Sequence, residues 1–316
     1  MISVVIPVRN GGEDLRRCLE GIDAQTVDEE VEVVVMDSSS TDGSVELARE
    51  LDARVEVIPV SEFNHGGTRN RGAELARGET LVFTSQDAYP ADERWLARLC
   101  APLADERVGG VYGRQVPHQD ARPPERYFLD FLYGAEPRVQ EAAGREQLSM
   151  ETTLFSNVTS AIPKRVWEQF PFATDMVMTE DQEWAARVLL GGYRLVYEPG
   201  AVVHHSHPYT IRAAFKRFFD SGASAERAFM PAGGNSAAVV RRAAARYGRG
   251  ELGWLWRTGQ RRWIPYTAVY ELAKFAGLQL GARHRLLPTA LKRRLSNQPA
   301  YWDAPRPELP AGPSSG

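Results

Sequence analysis

Four short apolar runs, each released into a polar turn and then a helical pattern, constrain this chain more than any other feature. They are residues 2–8 (ISVVIPV), 31–36 (VEVVVM), 55–60 (VEVIPV) and 81–83 (LVF). Apolar runs without alternation suit strands that are covered on both faces. The helical pattern after the first run puts Leu15, Cys18, Leu19 and Ile22 on one face. Strand and helix alternating through short links predict an α/β fold built on a doubly wound, mostly parallel sheet. Right-handed crossovers then bring the strand ends at Val8, Asp37, Ser61 and Asp87 to one rim. Open α/β sheets bind their ligands beyond such ends.

The residue types on that rim are chemical. The fourth strand stops at Ser85-Gln86-Asp87 and turns through Pro90 into an amphipathic helix over residues 92–104. Asp87 fits a divalent metal held against a diphosphate, or a helix-capping turn. Asp37 precedes a serine run, where it can accept from a base imide N–H or close an Asx-turn. Asp42 is placed to cap the second helix. Phe63 to Asn70 (FNHGGTRN) set glycines and Arg69 where a helix begins. That suits a phosphate, or an ordinary left-handed turn with a solvated arginine.

Further strands are expected over 108–116, 152–162 and 194–197, with a covering loop and helix over 118–144. A helix starts at Pro163, and Glu180 and Asp181 open another whose apolar face is Trp184, Val188 and Leu189. Acids are common at such a position for dipole reasons alone. Beyond a Pro199-Gly200 turn comes His204-His205-Ser206-His207, half of the six histidines in four positions. In extended chain His205 and His207 share a side, as metal ligands or as a bare surface cluster.

Composition decides the setting. Two cysteines in helical patterns indicate neither a disulfide framework nor a thiolate site, which suits a reducing cytoplasm. Met1 leads straight into a strand and no apolar run reaches transmembrane length. The net charge of −3 hides a split: residues 241–294 hold 13 Lys and Arg against two acids, +11, which leaves −14 elsewhere. Trp254, Trp256, Trp263 and Tyr266 lie beside Arg257, Arg261 and Arg262. This mixture fits an interfacial belt on an anionic membrane, or a helical cap packed on the rest of the chain. Lys274 and Arg283 interrupt the apolar run over 266–287, so it lies on a bilayer instead of spanning it. No nucleic-acid motif accompanies the basic residues, and no nucleic acid is expected as a partner. Residues 303–316 are expected to be disordered.

In this order the motifs resemble the family 2 glycosyltransferases, inverting A-type transferases of nucleotide-diphospho-sugars, over about residues 2–210. The subgroup resembled is rhamnosyltransferase-like, through FNHGGTRNRGAELARG (63–78), TSQDAYP (84–90), VYGRQVP (111–117), SNVTSAI (156–162), TEDQ (179–182) and HSH (205–207). RRWIPY (261–266) is similar to that subgroup's C-terminal extension. The resemblance implies a catalytic domain over 1–210, a basic aromatic extension over 211–302 and a tail over 303–316. It implies nucleotide-sugar binding by Pro7, Val8, Arg9, Asp37, Ser38, Asn64, His65, Arg69, Gln86 and Asp87, with Asn70 beside Arg69 at the diphosphate. Asp181 matches the catalytic base, with Glu180 beside it. Gln86-Asp87-Ala88 stands where the family has a fuller Asp-x-Asp element, so Mg²⁺ or Mn²⁺ leans on His205 and His207 as well as Asp87. The expected reaction transfers L-rhamnose from dTDP-L-rhamnose to a glycan or polyprenyl-diphosphate-linked acceptor, at the inner face of the cell membrane. Another dTDP- or UDP-sugar, or a catalytically silent glycan-binding or membrane-binding protein of the same fold, is the alternative.

Overall fold

The computed structural model describes residues 1–228 and 237–303, so the tail expected to be disordered lies outside it apart from Asp303. The first part alternates as the apolar runs require. β1 (Ile2–Val8), α1 (Gly12–Asp23), β2 (Val31–Asp37), α2 (Ser44–Glu50), β3 (Arg54–Val57), α3 (His65–Leu75) and β4 (Thr80–Thr84) follow one another. Strands β3, β2, β1 and β4 are parallel neighbours in that order. Successive side chains of a strand point to opposite faces. Val4, Ile6 and Val8 therefore join the core on the α1 side, while Val5 joins Val34, Met36, Leu81 and Phe83 on the other. β3 ends at Val57, short of the expected Ser61. Ile58 still donates to the Asp37 carbonyl (2.7 Å), but Pro59 has no N–H and the chain turns into a 3-10 segment. The N-cap of α2 is Gly43 in the left-handed region, with Asp42 one residue earlier accepting from the Ser44 amide at 3.1 Å.

The second part adds antiparallel pairing. It runs β5 (Tyr89–Pro90), α4 (Trp95–Cys100), β6 (Val108–Val116), α5 (Pro123–Leu132), β7 (Arg138–Gln140), β8 (Thr159–Pro163), α6 (Lys164–Gln169), α7 (Glu180–Leu190) and β9 (Arg194–His204). β8 lies antiparallel between β4 and β6, β6 is parallel to β9, and β5 and β7 flank β9. Several local expectations are corrected. Tyr89 and Pro90 first pair with His204 and Val203, and the helix begins only at Trp95. Pro102 converts the end of the 92–104 helix to a 3-10 turn. Residues 152–158 are not strand: the Thr153 hydroxyl donates to the Ser149 carbonyl, and Gln140 Nε2 donates to the carbonyls of Thr152 and Leu154. β9 runs through Pro199-Gly200, which bulges out between Glu198 and Val202 where the β6 partners step from Gly113 to Arg114.

Four helices follow: α8 (Ile211–Ala228), α9 (Ala237–Arg257), α10 (Ile264–Gly281) and α11 (Thr289–Leu295). α8 and α10 touch backbone to backbone, since a Cβ on Gly277 or Gly281 would strike the Phe215 or Phe219 carbonyl oxygen. Lys274, which interrupts the apolar run over 266–287, is buried. It pairs with Glu271 (2.7 Å) and lies over the rings of Phe128, Phe218, Tyr247 and Tyr270. The aromatic residues of the extension divide. Trp254 packs on Tyr127 and Tyr266 accepts from Arg122 (2.8 Å), while Trp256 is 56% exposed with Arg261 stacked on it.

Candidate active site

The rim gathers three groups of residues. Asp87 follows β4, and His205 and His207 follow β9. The pairing of β5 with the end of β9 brings them together. Asp87 Oδ1 lies 3.7 Å from His205 Nε2, and its Oδ2 lies 3.5 Å from His207 Nδ1. One ligand atom from each of the three falls within 4.8 Å of the others. His205 Nδ1 donates to Gln115 Oε1 at 2.9 Å, which leaves Nε2 with its lone pair toward Asp87. Burial, with His207 alongside, holds the His205 imidazole neutral well below its usual range. Burial also lowers His207, against the pull of Asp87. One carboxylate and two neutral imidazoles form a donor set that fits a divalent cation. His204 turns away, stacked with His118 and tilted on Tyr89.

Asp181 stands in the first turn of α7, behind Thr179 in the left-handed region. It accepts from the amides of Gln182 (2.9 Å) and Asn157 (3.4 Å). Burial and then the Glu180 charge push its carboxyl up to about 7, while Arg69 works in the opposite direction. A side chain that exchanges a proton near neutrality is suited to general-base work. Gln115 Nε2 donates to Ser156 Oγ at 3.0 Å. His205 is thus linked through Gln115 to Ser156, and the next residue in the chain, Asn157, donates its amide to Asp181.

The remaining rim residues divide into open and committed. Asp37 is fully buried: Oδ1 closes the Asx-turn on the Ser40 amide (2.9 Å), while Oδ2 has no partner among the described residues. The Ser38 hydroxyl is likewise buried and without a partner among the described residues. Buried polar atoms of this kind are rare unless a ligand or water completes them. Arg9 is exposed, and Gln86 clasps its backbone from both sides at 2.7 and 3.2 Å. Pro7 is half-buried, and Val8 puts its side chain in the core and its carbonyl on the Ser38 amide.

Asn64 caps α3 by accepting from Gly67 (2.8 Å), and His65 Nε2 accepts from Gln298 (2.8 Å). Arg69, expected at a diphosphate, is buried and paired with Glu180 at 2.8 Å. Asn70 is spent on Trp167 and the Phe172 backbone. Gly66 sits where a Cβ would strike the Ala173 carbonyl, so the glycine is required by helix packing.

Sequence reasoning assigned no role to Gln115, Arg217 or Gln298. Gln115 lies in a motif, but a strand pattern does not name the side chain opposite. Arg217 of α8 lies 5.6 Å over the Tyr209 ring, and Tyr209 packs against His207 (5.1 Å). This brings a cation to the metal-competent cluster from a helix that reads only as basic and aromatic.

The glycosyl transferase family 2 pattern matches residues 3–169. The O-antigen chain rhamnosyltransferase RfbN of Salmonella typhimurium is 33% identical over 311 residues, covering 96% of each chain. The O-antigen chain rhamnosyltransferase WbaN of Salmonella anatum is 33% identical over 86% of each. Among solved structures, a mannosyltransferase from Pyrobaculum calidifontis in complex with GDP-Man and Mn²⁺ shares the fold. Its TM-score is 0.55 at 22% identity, covering 96% of this chain and 84% of that one. Staphylococcus aureus TarS, residues 1–349, has a TM-score of 0.52 at 18% identity, covering 72% and 66%.

Proposed function

This chain belongs to glycosyl transferase family 2, and from that premise we propose that it transfers L-rhamnose from dTDP-L-rhamnose, with inversion, to a lipid-linked or cell-surface glycan. The sugar and the acceptor class rest on the names of the two rhamnosyltransferase relatives, each 33% identical over most of its length. The observation that supports the chemistry is a metal-competent Asp87, His205 and His207 cluster tied by Gln115 to Ser156, whose chain neighbour Asn157 donates its amide to Asp181.

Glycosyl transfer from a nucleotide diphosphate needs a base at the acceptor and charge neutralisation at the leaving group. Asp181 takes the proton of the acceptor hydroxyl as that oxygen attacks the anomeric carbon. The carbon–oxygen bond to the diphosphate breaks on the opposite face, and the configuration inverts by the single-displacement logic of inverting glycosidases. A divalent cation held by Asp87, His205 and His207 would neutralise the departing diphosphate. Two imidazoles beside one carboxylate favour Mn²⁺ over Mg²⁺, which prefers oxygen ligands and resists dehydration. Arg217 adds a second positive charge on that side. Asp37 Oδ2 and the Ser38 hydroxyl are acceptors for the nucleotide base and ribose, with Pro7 and the Arg9 region forming the adjoining wall. Glu180 tunes Asp181 and holds Arg69. Asn64 and His65 shape the floor from α3.

On this reading residues 1–210 carry the chemistry, and the helices that follow hold the acceptor side against the inner face of the membrane. No helix among the described residues is long and apolar enough to cross a membrane. Val269 and Leu272 on α10, and Leu286 beyond it, are exposed among the basic residues of the +11 segment, which suits an anionic lipid surface. The deciding experiment is a panel of dTDP-, UDP- and GDP-sugars, scored by calorimetric binding and by slow hydrolysis with Mn²⁺. Tightest binding of dTDP-L-rhamnose is expected. Absence of binding by every nucleotide sugar would end the transferase reading.

A further inference from the structure

α8 and α11 border an open pocket of about 240 Å³ lined by Arg212, Phe215, Lys216, Arg294 and Leu295. Three of its five lining residues are cations and none is an acid. Arg212 and Arg294 form no ion pair among the described residues, and Lys216 donates one hydrogen bond, to the Ser296 carbonyl at 3.0 Å. Asp220, one turn after Lys216, is buried and engaged by the Asn297 amide at 2.8 Å. Asp220 offsets Lys216, whereas Arg212 and Arg294 meet no acid among the residues that line the pocket, and an anion entering between them lowers their mutual repulsion.

The apolar part of the wall limits which anion. Phe215 and Leu295 face the cavity with the cations. Leu291 precedes Arg294 and Leu295 by three and four residues on α11, so the three share one side of that helix. Leu291 is exposed, and Leu286, just before the helix, is 81% exposed. A cationic pocket that opens beside exposed leucines suits a phosphate with a hydrocarbon chain attached.

The pocket is also tied to the catalytic rim. Arg217, next in sequence to Lys216, faces Tyr209 and through it His207. Just beyond α11, Gln298 donates to His65. α8 itself and the chain three residues beyond α11 thus both reach the site.

We infer that this pocket binds the diphosphate of an amphiphilic acceptor, so that the sugar joined to it extends toward Asp181. The inference rests on the transferase reading and names the acceptor's anchoring group.

The test uses the full chain saturated with dTDP and Mn²⁺, titrated by calorimetry with farnesyl diphosphate below its micellar concentration, with inorganic diphosphate, and with phosphatidylglycerol vesicles. Farnesyl diphosphate is expected to bind about tenfold or more tighter than inorganic diphosphate, the equivalent of roughly two buried methylenes. Arg212→Gln and Arg294→Gln should each weaken it about tenfold, the worth of one charge-assisted hydrogen bond. Both positions are exposed, and unchanged dTDP affinity reports that the fold is kept. Farnesyl diphosphate binding that ignores both substitutions would overturn the inference. So would equal affinity for inorganic diphosphate, or a loss confined to the vesicles, which would assign the pocket to bulk lipid. Wild-type protein that binds farnesyl diphosphate through these arginines but no nucleotide would uphold the pocket and sink the transferase reading instead.

Discussion

Burial and two charged neighbours set the proton affinity of Asp181. Burial and the Glu180 charge raise it to about 7, and Arg69 lowers it. The active form of a base is the carboxylate, so turnover should climb as pH rises through about 7. Glu180→Gln removes a raising charge and frees Arg69, so the acid limb of the pH–rate profile should move to lower pH. Arg69→Met should move it higher. Opposite or absent displacements would remove Asp181 from the role of base. On the metal side of the site, Asp87→Ala leaves two imidazoles with no carboxylate. Donor affinity in the presence of Mn²⁺ should fall by roughly 10- to 100-fold. An unchanged metal requirement would mean that the cation is held elsewhere.

Among the elements, α9 carries the least comfortable residue. Glu251 is fully buried, neither of its oxygens has a partner among the described residues, and burial with the nearby Glu271 charge pushes its carboxyl up to about 8. The unfolded carboxyl titrates near about 4.3. Between these values the folded chain binds the extra proton, so stability is full below the unfolded value and is lost as pH rises toward about 8. Melting curves of Glu251→Gln should therefore decline less between pH 5 and 8 than those of the wild type. Identical slopes would show that Glu251 is solvated.

Strands β1, β2 and β4 were legible in the sequence because both faces are covered and the runs are continuous. The strand at β8 was legible within 152–162, but its place was not, since nothing in SNVTSAI says that it lies antiparallel between two strands distant in sequence. The pairing of Arg69 with Glu180 spans 111 residues and has no local pattern either. The histidine alternation could be read because period 2 is a property of any extended chain. Its partner Gln115 could not, because that contact depends on register.

For the whole molecule, the charge split places +11 in residues 241–294 and −14 in the remainder. The exposed leucines lie with the positive part, and Leu272 is 67% exposed. Attraction to anionic lipid is screened by salt, whereas an inserted apolar face is not. Flotation with phosphatidylglycerol vesicles should thus exceed flotation with neutral ones, and a part of it should survive high salt. The pair Leu272→Ser and Leu286→Ser should abolish that surviving part. Flotation that is equal on neutral vesicles, or indifferent to both substitutions, would leave the extension as a cap on the catalytic part.

The account stands on Asp181 as the one proton acceptor, at a site whose donor contacts lie elsewhere. Asp181→Asn keeps the size of the side chain and removes its basicity. Calorimetry and turnover measured on the same preparation, with dTDP-L-rhamnose and Mn²⁺, separate the two functions. The predicted result is donor affinity within about twofold of wild type and a rate lower by roughly 10² or more. Turnover near the wild-type rate with affinity intact would contradict it.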